Sequence, residues 1–337
     1  MDILKSLIQI PSVSGEEKEI QKIIFDFLVK LGLTPFYVGK NVVAKVAGRN
    51  NKTAIIFNCH MDTMPVDDPA AWHHQPFEGE IIKGKIYGLG ASDNKASVAA
   101  TLLLAEDLAI NKSAVDVWLT YVVNEEIDGS GTAEVVKWFV GKEQKSYKKL
   151  AAVIGEPTDL INVKIANKGN LFVKVTISGD SGHGSRPQYI KTHAVLEMVK
   201  VAAKMEKLGK LWAKKYPDEL LGVPTVGLLT SIAAGSLASP NKFPDSCAAT
   251  FDVRTTPKMH ALALKQIEKT LTGVKVELVY PAAPYGYTDE KEKIVNDWVK
   301  KIPDSQALVK DFKERVGEPS GKKILDDAAL AAVQSWK

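Results

Sequence analysis

Three apolar runs in the first half of the chain predict buried parallel strands. They cover residues 53–59, 115–123 and 150–154, and each is rich in branched or aromatic side chains. Between the first two, residues 96–109 show the apolar spacing of a helix. The alternation of strands and helices predicts an α/β sandwich in which helices cover a largely parallel sheet.

The N-terminal region adds one helix and a less regular strand. Residues 14–17, Ser-Gly-Glu-Glu, have the form of a capping box. Apolar residues then recur at helical spacing over 20–31, and Gly32 marks the end of the helix. Residues 36–46 alternate weakly between apolar and polar, and Asn50-Asn51 predicts a turn before the first buried strand.

After Ile165 the pattern changes and predicts a second domain. The segments alternate in the order strand, helix, strand, strand, helix, strand, which is the β-α-β-β-α-β order of a ferredoxin-like domain. We therefore expect this domain over 167–280, inserted into a first domain made of 1–166 and 281–337. The predicted strands are 170–178, 225–233, 247–253 and 274–279, and the predicted helices are 195–205 and 259–271.

Acidic and histidine side chains follow each of the three apolar runs. In open α/β sheets, reactive groups gather just beyond the carboxyl ends of the strands. We therefore expect these side chains to meet at one edge of the sheet. They are His60 and Asp62 after the first run, Glu125 and Glu126 after the second, and Glu156 after the third.

A further carboxylate, Asp93, precedes the helix predicted at 96–109. By itself Asp93 is also explained as a helix N-cap, and His60-x-Asp62 by itself is also explained as an ordinary loop pair. Together, however, four segments bring histidine and carboxylates to one edge. One imidazole and several carboxylates suit zinc, manganese or cobalt, and a carboxylate off the metal can act as a base. The pattern indicates metal-assisted hydrolysis.

The segment 60–65, His-Met-Asp-Thr-Met-Pro, resembles the H-x-D-x-x-P motif of a family of zinc-dependent amidohydrolases and peptidases. This family includes acetylornithine deacetylase, succinyl-diaminopimelate desuccinylase, aminoacylase and glutamate carboxypeptidase. The segments around Asp93, Glu125 and Glu156 follow in the family's order, and the resemblance covers most of the chain. It implies the zinc-hydrolase sandwich with an inserted domain that acts as a lid and joins a homodimer.

Two neighbours of Asp93 depart from the family pattern. Leu89 stands where an arginine is usual, and Ser97 stands where a glycine is usual. Both flank the proposed ligand, so its assignment is unaffected. The resemblance also implies a cis peptide bond between Asp93 and Asn94.

The resemblance implies a site for one or two zinc ions, with cobalt or manganese as alternatives. His60, Asp93 and Glu156 would hold the first ion. Asp93 would bridge to a second ion that Glu126 also binds, with the ions roughly 3.5–4 Å apart.

The resemblance also implies catalytic roles. Asp62 would orient His60, and Glu125 would take a proton from the bridging water and deliver it to the leaving amine. Within the glycine-rich segment 178–187, His183 resembles a lid histidine that helps to polarise the scissile carbonyl, often across a dimer. The alternative is an incidental histidine in a glycine-rich loop.

Asn241 and Arg254 match family positions that contact the substrate. The planar fork of arginine suits a carboxylate, although Arg254 is also placed to pair with Asp252 or Asp245 on the sheet. The implied substrate is an N-acyl amino acid or small peptide with a free carboxylate. The remaining histidines match no motif and are expected at the surface: His73, His74, His193 and His260.

Composition excludes several other classes of protein. The chain has 337 residues and only two cysteines, Cys59 and Cys247, so we expect no disulfide framework and a cytoplasmic location. A net charge of +4, from 44 basic and 40 acidic residues, is too balanced to indicate nucleic-acid binding. The basic segment 142–149 is interpreted as a solvated linker, with a polyanion site as the alternative. The N-terminus resembles neither a signal peptide nor a membrane span.

Two other functions remain as alternatives. In a nucleotide-binding oxidoreductase, Gly88-Leu-Gly90 would bind phosphate, but the third glycine of that fingerprint is missing. The second alternative is a catalytically impaired relative that binds metal or dimerises. Family members carry a final metal-binding histidine beyond an Asp-Ala segment like 327–328, whereas no histidine follows His260. We therefore expect one tight zinc, a weak second ion and reduced hydrolysis, unless His73 or His74 fills the place.

Overall fold

The computed structural model describes residues 2–157, 163–164, 168–219, 221–280 and 324–325. These residues fall into two compact units that divide near residue 160. Apart from 324–325, the predicted return of the chain to the first domain after residue 280 lies outside the described residues. No helix in the described part of the chain is long and apolar enough to cross a membrane.

The first unit contains four α-helices and seven strands among its described residues. The helices are α1 (Asp2–Ile8), α2 (Lys18–Lys30), α3 (Lys95–Ile110) and α4 (Ser130–Lys142). The strands are β1 (Phe36–Val38), β2 (Asn41–Val46), β3 (Asn50–His60), β4 (Glu80–Ile82), β5 (Lys85–Tyr87), β6 (Val115–Val122) and β7 (Lys149–Ile154).

Five of these strands form a mixed sheet in the order β1-β2-β6-β3-β7. Strand β3 runs parallel to both β6 and β7, whereas β2 is antiparallel to β1 and to β6. The predicted α/β architecture is confirmed, and its parallel part consists of the three strands predicted from the apolar runs. The turn predicted at Asn50-Asn51 was wrong, because β3 already begins at Asn50.

Helices bury both faces of this sheet. Alternate residues of β6 point to opposite faces, as the pleat requires. Leu119 belongs to the apolar cluster that α2 and α3 cover, and Trp118 belongs to the cluster that includes Val135 and Phe139 of α4. Each fully buried Leu or Phe side chain contributes about 1.5–3 kcal/mol, so these two layers hold the strand ends at fixed positions.

The predicted capping box at the start of α2 was wrong. The N-cap of this helix is Glu17, which makes no side-chain capping hydrogen bond. Ser14 instead donates its hydroxyl proton to the Asp62 carboxylate. The reason is tertiary: residues 12–14 run beside Thr63, with hydrogen bonds from the Thr63 amide to the Ser12 carbonyl and from the Ser14 amide back to Thr63.

A buried carboxylate near the start of β6 pairs with a partly exposed lysine. The Asp116 carboxylate is buried and accepts hydrogen bonds from the Gly48 amide (2.8 Å) and the Tyr147 hydroxyl (2.9 Å). The Lys45 ammonium lies 2.9 Å from it. Burial alone would raise the pKa of Asp116, but the hydrogen bonds from Lys45, Gly48 and Tyr147 outweigh burial and lower it. The hydrogen-bond partners of Asp116 therefore stabilise its ionised form.

The second unit has the predicted β-α-β-β-α-β order, with the second predicted helix divided into two. Its principal elements are β9 (Gly169–Ser178), α5 (Ala194–Lys215), β11 (Thr225–Ala234), β13 (Ser246–Thr255), α6 (Pro257–His260), α7 (Ala263–Thr270) and β14 (Lys275–Leu278). Short strands are β8 (Val163–Lys164), β10 (Gly182–His183), β12 (Lys242–Phe243) and β15 (Ile324–Leu325).

The four principal strands form an antiparallel sheet in the order β11-β13-β9-β14. Its apolar core joins Met198, Met205 and Trp212 of α5 to Phe251 of β13. Strand β11 lies at one edge, and Ile232 on it is 50% exposed. The helices therefore cover one side of the sheet, and β11 leaves apolar side chains in contact with solvent.

Candidate metal centre

The carboxyl ends of three parallel strands place the predicted residues at one edge of the first sheet. His60 is the last residue of β3 and lies opposite Val122 of β6, while Asn58 lies opposite Ile154 of β7. The Met61 amide donates to the Val122 carbonyl at 2.9 Å, so the chain leaving β3 stays beside β6. The loops after all three strands thus begin next to one another.

The imidazole of His60 is buried, and its Nε2 faces three carboxylates. Nε2 lies 2.9 Å from Asp93 Oδ1, 3.8 Å from Glu125 Oε2 and 3.8 Å from Glu156 Oε1. On the other side, Nδ1 lies 3.1 Å from the Asp62 carbonyl oxygen and 3.4 Å from its carboxylate. Burial lowers the pKa of His60, but hydrogen bonds with Asp62 and Asp93 outweigh it and raise the pKa to about 11.

The buried Asp62 carboxylate connects His60 to the loop that carries the two adjacent glutamates. It accepts hydrogen bonds from the Ser14 hydroxyl (2.7 Å) and from the backbone amides of Glu125 and Glu126 (3.1 Å each). Burial opposes ionisation of Asp62, but the hydrogen bonds from His60 and Ser14 hold its pKa below the ordinary value. One ionised side chain therefore holds the backbone of the glutamate loop and lies beside the imidazole.

Asp93 is not the N-cap of α3. That position belongs to Asn94, which makes no side-chain capping hydrogen bond. The Asp93–Asn94 peptide bond is cis, as the resemblance implied. The Asn94 side-chain amide donates to the Gly155 carbonyl, which joins this turn to the loop that carries Glu156. The N-cap explanation of Asp93 was wrong, since its carboxylate faces the imidazole instead.

The donor set fits a divalent transition metal. The described residues form two groups of three possible ligands, and within each group the ligand atoms lie within 4.8 Å of one another. One group is His60 with Asp93 and Glu126, and the other is His60 with Glu125 and Glu156. Burial and the negative charge of Asp93 raise the pKa of Glu126 to about 7. The clustered carboxylates thus destabilise one another's ionised forms, and a divalent cation between them would remove that cost. One imidazole among carboxylates suits zinc, cobalt or manganese.

These two groups divide the ligands differently from the sequence prediction. Glu125, predicted to stay off the metal, lies in a group with His60 and Glu156. Asp93 shares a group with Glu126, as predicted for the second ion, but not with Glu156. The proposed division between a base and its neighbouring ligand therefore stays a prediction.

The other histidines lie outside both ligand groups formed by the described residues. His73 is exposed, as predicted. The other three are only partly exposed and are hydrogen-bonded. His74 bonds Glu80 at 2.7 Å, the His193 ring caps α5 by accepting from the Leu196 amide, and His260 bonds the Thr255 hydroxyl at 2.6 Å.

His183, Asn241 and Arg254 lie in the second unit, where the first two contact each other. Asn241 Nδ2 is 3.1 Å from His183 Nε2. On the opposite side of the ring, Nδ1 lies 3.2 Å from the backbone nitrogen of Ser185 and 2.8 Å from its hydroxyl oxygen. The imidazole is held by hydrogen bonds at both nitrogens.

Arg254 pairs with Asp252, one of the partners that the sequence left open. Its Nε lies 2.8 Å from one carboxylate oxygen and its terminal nitrogen donates to the other at 2.9 Å. The guanidinium also lies over the Phe172 ring, 5.8 Å from its centroid. A substrate carboxylate at Arg254 would therefore compete with Asp252 for the same planar donors.

Sequence reasoning missed three residues that brace this region. Ser14 was read as a cap. Asn41 is buried in β2 and accepts the Val123 amide proton, and its polar side chain in an apolar strand was the available signal. Lys95 is also buried, its ammonium donates to the Ile10 carbonyl at 2.6 Å, and burial lowers its pKa to about 8.

Comparison with known proteins adds an independent observation. A model of the peptidase family M20/M25/M40 matches residues 56–298. The acetylornithine deacetylase of Buchnera aphidicola subsp. Acyrthosiphon pisum (strain 5A) is 29% identical over 283 residues, which cover 80% of this chain and 70% of that enzyme.

Solved structures share the fold. The M20 family metallo-carboxypeptidase Sso-CP2 from Sulfolobus solfataricus has a TM-score of 0.69 at 20% identity, covering 95% of this chain and 85% of its own. The dipeptidase Dug1p from Saccharomyces cerevisiae has a TM-score of 0.67 at 16% identity, covering 99% and 86%. At these identities the likeness concerns the fold alone.

Proposed function

The chain belongs to the peptidase family M20/M25/M40, and from this we propose that it is a zinc-dependent amidohydrolase. Its substrate would be an N-acyl amino acid or a small peptide with a free carboxylate. The observation that carries the proposal is the environment of His60, whose Nε2 faces three carboxylates while the buried Asp62 lies behind its Nδ1. Histidine and carboxylates at one open edge are typical of hydrolytic zinc sites.

Four side chains would hold the metal, as one or two zinc ions. They are His60, Asp93, Glu126 and Glu156, all at the same edge of the first sheet. When bound, zinc supplies a Lewis acid that makes water a stronger nucleophile and polarises the substrate carbonyl. Asp62 would keep the ligating nitrogen of His60 directed at the cluster, because its hydrogen bonds fix the orientation of the ring.

Glu125 would move the proton. Its carboxylate lies 3.8 Å from His60 Nε2, and its backbone amide is anchored by Asp62. From there it would take a proton from the attacking water and pass it to the nitrogen of the leaving amine. A positioned acid–base group of this kind contributes typically ~10²–10⁴-fold in rate.

The second unit would recognise the substrate. His183 would donate a hydrogen bond to the carbonyl oxygen as it gains negative charge, which is a large stabilising contribution in acyl transfer. Asn241 and Arg254 would bind the free carboxylate, and the arginine would exchange Asp252 for the substrate. The name of the deacetylase relative favours an acylated amino acid, and that of the dipeptidase neighbour favours a short peptide.

The second unit would also join two copies of the chain. Among the described strands β11 is at the edge of its sheet, and it exposes Leu228, Leu229 and Ile232. Helix α5, which packs against β11, adds exposed Leu196 and Val199. An exposed apolar patch beside an unpaired strand edge marks an interaction surface. Two copies of one strand can pair antiparallel across a twofold axis. A second copy of the chain would therefore pair with the strand edge and also cover the apolar patch.

A substrate panel tests the proposal. Purified protein with measured zinc content would be assayed on N-acetylornithine, succinyl-diaminopimelate and a set of dipeptides. We expect hydrolysis of one class that is lost with a chelator and restored by zinc. A His60→Ala variant is the matched control, because it removes the ligand shared by both groups. A protein that is fully loaded with metal yet cleaves no substrate would support the alternative of a catalytically impaired relative.

A further inference from the structure

The hydrogen bonds around His183 determine which ring nitrogen carries its proton. We propose that Ser185 is a positioning residue that holds neutral His183 in the tautomer protonated at Nε2. This inference rests on the role proposed above for His183 as a donor to the substrate oxygen, and it adds the residue that makes the ring a donor in the required direction.

Nδ1 of His183 faces two groups of Ser185. The backbone nitrogen of Ser185 lies 3.2 Å from this atom, with geometry that meets the requirements of a hydrogen bond. A backbone N–H can only donate, so Nδ1 must offer its lone pair. The Ser185 hydroxyl, 2.8 Å away, can donate to the same nitrogen. A neutral imidazole with an accepting Nδ1 carries its proton on Nε2.

Hydrogen bonds on both sides of Ser185 hold its backbone amide in place. Strand β10 pairs with β12 so that His183 lies opposite Lys242. The next residue, Gly184, donates its amide proton to the Asn241 carbonyl at 2.6 Å, and the Arg186 amide donates to the His183 carbonyl at 2.9 Å. Amides on both sides of the serine are thus hydrogen-bonded, which favours the orientation of its own N–H toward the ring.

At Nε2, the side chain of Asn241 is compatible with either tautomer. Its Nδ2 lies 3.1 Å from the ring nitrogen. If that amide group donated to Nε2, the ring proton would move to Nδ1 and would then face the Ser185 N–H, another donor. A side-chain amide can turn over to present its oxygen, whereas a backbone N–H cannot. The backbone N–H of Ser185 therefore determines the tautomer, and the Asn241 amide turns its oxygen toward the protonated Nε2.

The tautomer of His183 determines whether its Nε2 offers a proton or a lone pair to the substrate. A ring protonated at Nε2 presents a donor on the side away from Ser185, which is what stabilisation of a developing oxyanion requires. The other tautomer would present a lone pair there and repel the same oxygen. Ser185 thus acts on the reaction through His183, without touching the substrate.

The test measures the tautomer directly. Full-length protein labelled with nitrogen-15 would be recorded in long-range proton–nitrogen spectra at about pH 8, where free imidazole is mostly neutral. The signals of His183 are those missing from a His183→Gln spectrum. We expect a protonated Nε2 and an unprotonated Nδ1 in the wild type.

Variants of the exposed loop then separate positioning from folding. Ser185→Pro removes both donors, the backbone N–H and the hydroxyl, and should raise the share of the Nδ1–H tautomer, with kcat lowered roughly five-fold, the effect of about one hydrogen bond to the substrate oxygen. Ser185→Ala removes only the hydroxyl and should keep most of the Nε2–H tautomer. Ser185→Thr should restore both properties. Ser181→Ala is the matched control, because among the described contacts this exposed serine of the same loop makes no hydrogen bond to His183.

Two results would overturn the proposal. One is a wild-type spectrum with the proton on Nδ1, and the other is a tautomer ratio in Ser185→Pro equal to that of the wild type. Because the spectra are recorded without substrate, they are independent of the proposed function. If the proposed function is wrong but the inference about Ser185 is right, the wild type cleaves no substrate while the spectra still show the expected tautomer.

Discussion

The substitution Asp62→Asn tests how much of the candidate metal centre depends on one buried carboxylate. Oδ2 accepts from the Ser14 hydroxyl and the Glu126 amide, while Oδ1 accepts from the Glu125 amide and lies near His60 Nδ1. Asparagine keeps one accepting oxygen and replaces the other with a donor. Whichever way the new amide faces, its nitrogen meets donors that have lost their acceptor.

The less costly orientation puts the amide nitrogen in the place of Oδ2. The Ser14 hydroxyl can then turn and accept, so only the Glu126 amide loses its partner. Hydrogen bonds to a charged group contribute about 1.5–3 kcal/mol each, and an unpaired buried amide costs about 1–3 kcal/mol. We therefore expect the metal-free variant to be less stable by about 2–4 kcal/mol. Loss of a carboxylate behind a ligating histidine typically weakens metal binding 10–100-fold, and we expect about that effect here.

Two measurements check this expectation. Urea denaturation of metal-free protein gives the change in unfolding free energy, and competition with a zinc-binding dye gives the change in affinity. Asp67→Asn is the matched control, since Asp67 is exposed and its substitution should change stability by less than about 0.5 kcal/mol. If Asp62→Asn behaves like this control in both measurements, the reasoning from its hydrogen bonds is refuted.

Three further predictions concern the base, the ion pair and the edge strand. Glu125→Gln should lower kcat by about 10²–10⁴-fold and leave the metal content near that of the wild type. If Glu125→Gln loses metal and Glu126→Gln keeps it, Glu125 is the metal ligand and Glu126 the base. Asp116→Asn should lower stability at neutral pH by about 1–3 kcal/mol. Folding lowers the pKa of Asp116, so the stability that its carboxylate contributes is present above about pH 4, the ordinary aspartate range, and is lost as the pH falls through the folded-state pKa. The denaturation midpoints of the variant and the wild type should therefore converge in acid. A constant difference between the two midpoints would contradict this. Ile232→Lys on β11 should convert a dimer to a monomer in sedimentation velocity, whereas Val29→Lys, equally exposed on α2, should not; a wild type that sediments as a monomer would contradict the proposed interface.

The residues of the candidate metal centre were predictable because they follow strands whose type was unambiguous. A run such as 115–123 is too apolar for a surface position, and a buried parallel strand must present its polar residues at an end. His60, Glu125 and Glu156 were located in this way. The division of the ligands between two groups was not predictable, because it depends on distances below 5 Å that no spacing along the chain encodes.

Local patterns failed where a distant partner decided the outcome. Ser14 stands in a good capping box, but the chain beside Thr63 brings it to Asp62, and a charged acceptor in a buried position is the stronger partner. The same holds for Asp93, whose partner lies more than thirty residues earlier. Arg254 and Asp252 are two apart in one strand and therefore share a face, so the pleat favoured their pairing.

The position of β3 in the middle of the parallel strands also bears on how the protein is synthesised. When His60 leaves the ribosome, neither β6 nor β7 exists, and the loops with Glu125 and Glu156 follow much later in the chain. The nascent segment has an imidazole and one neighbouring carboxylate but none of the enclosing strands. Contacts between such distant segments form slowly during folding. The candidate ligand group of His60, Glu125 and Glu156 can therefore form only after β7 has docked, whereas the group of His60, Asp93 and Glu126 needs only β6 beside β3.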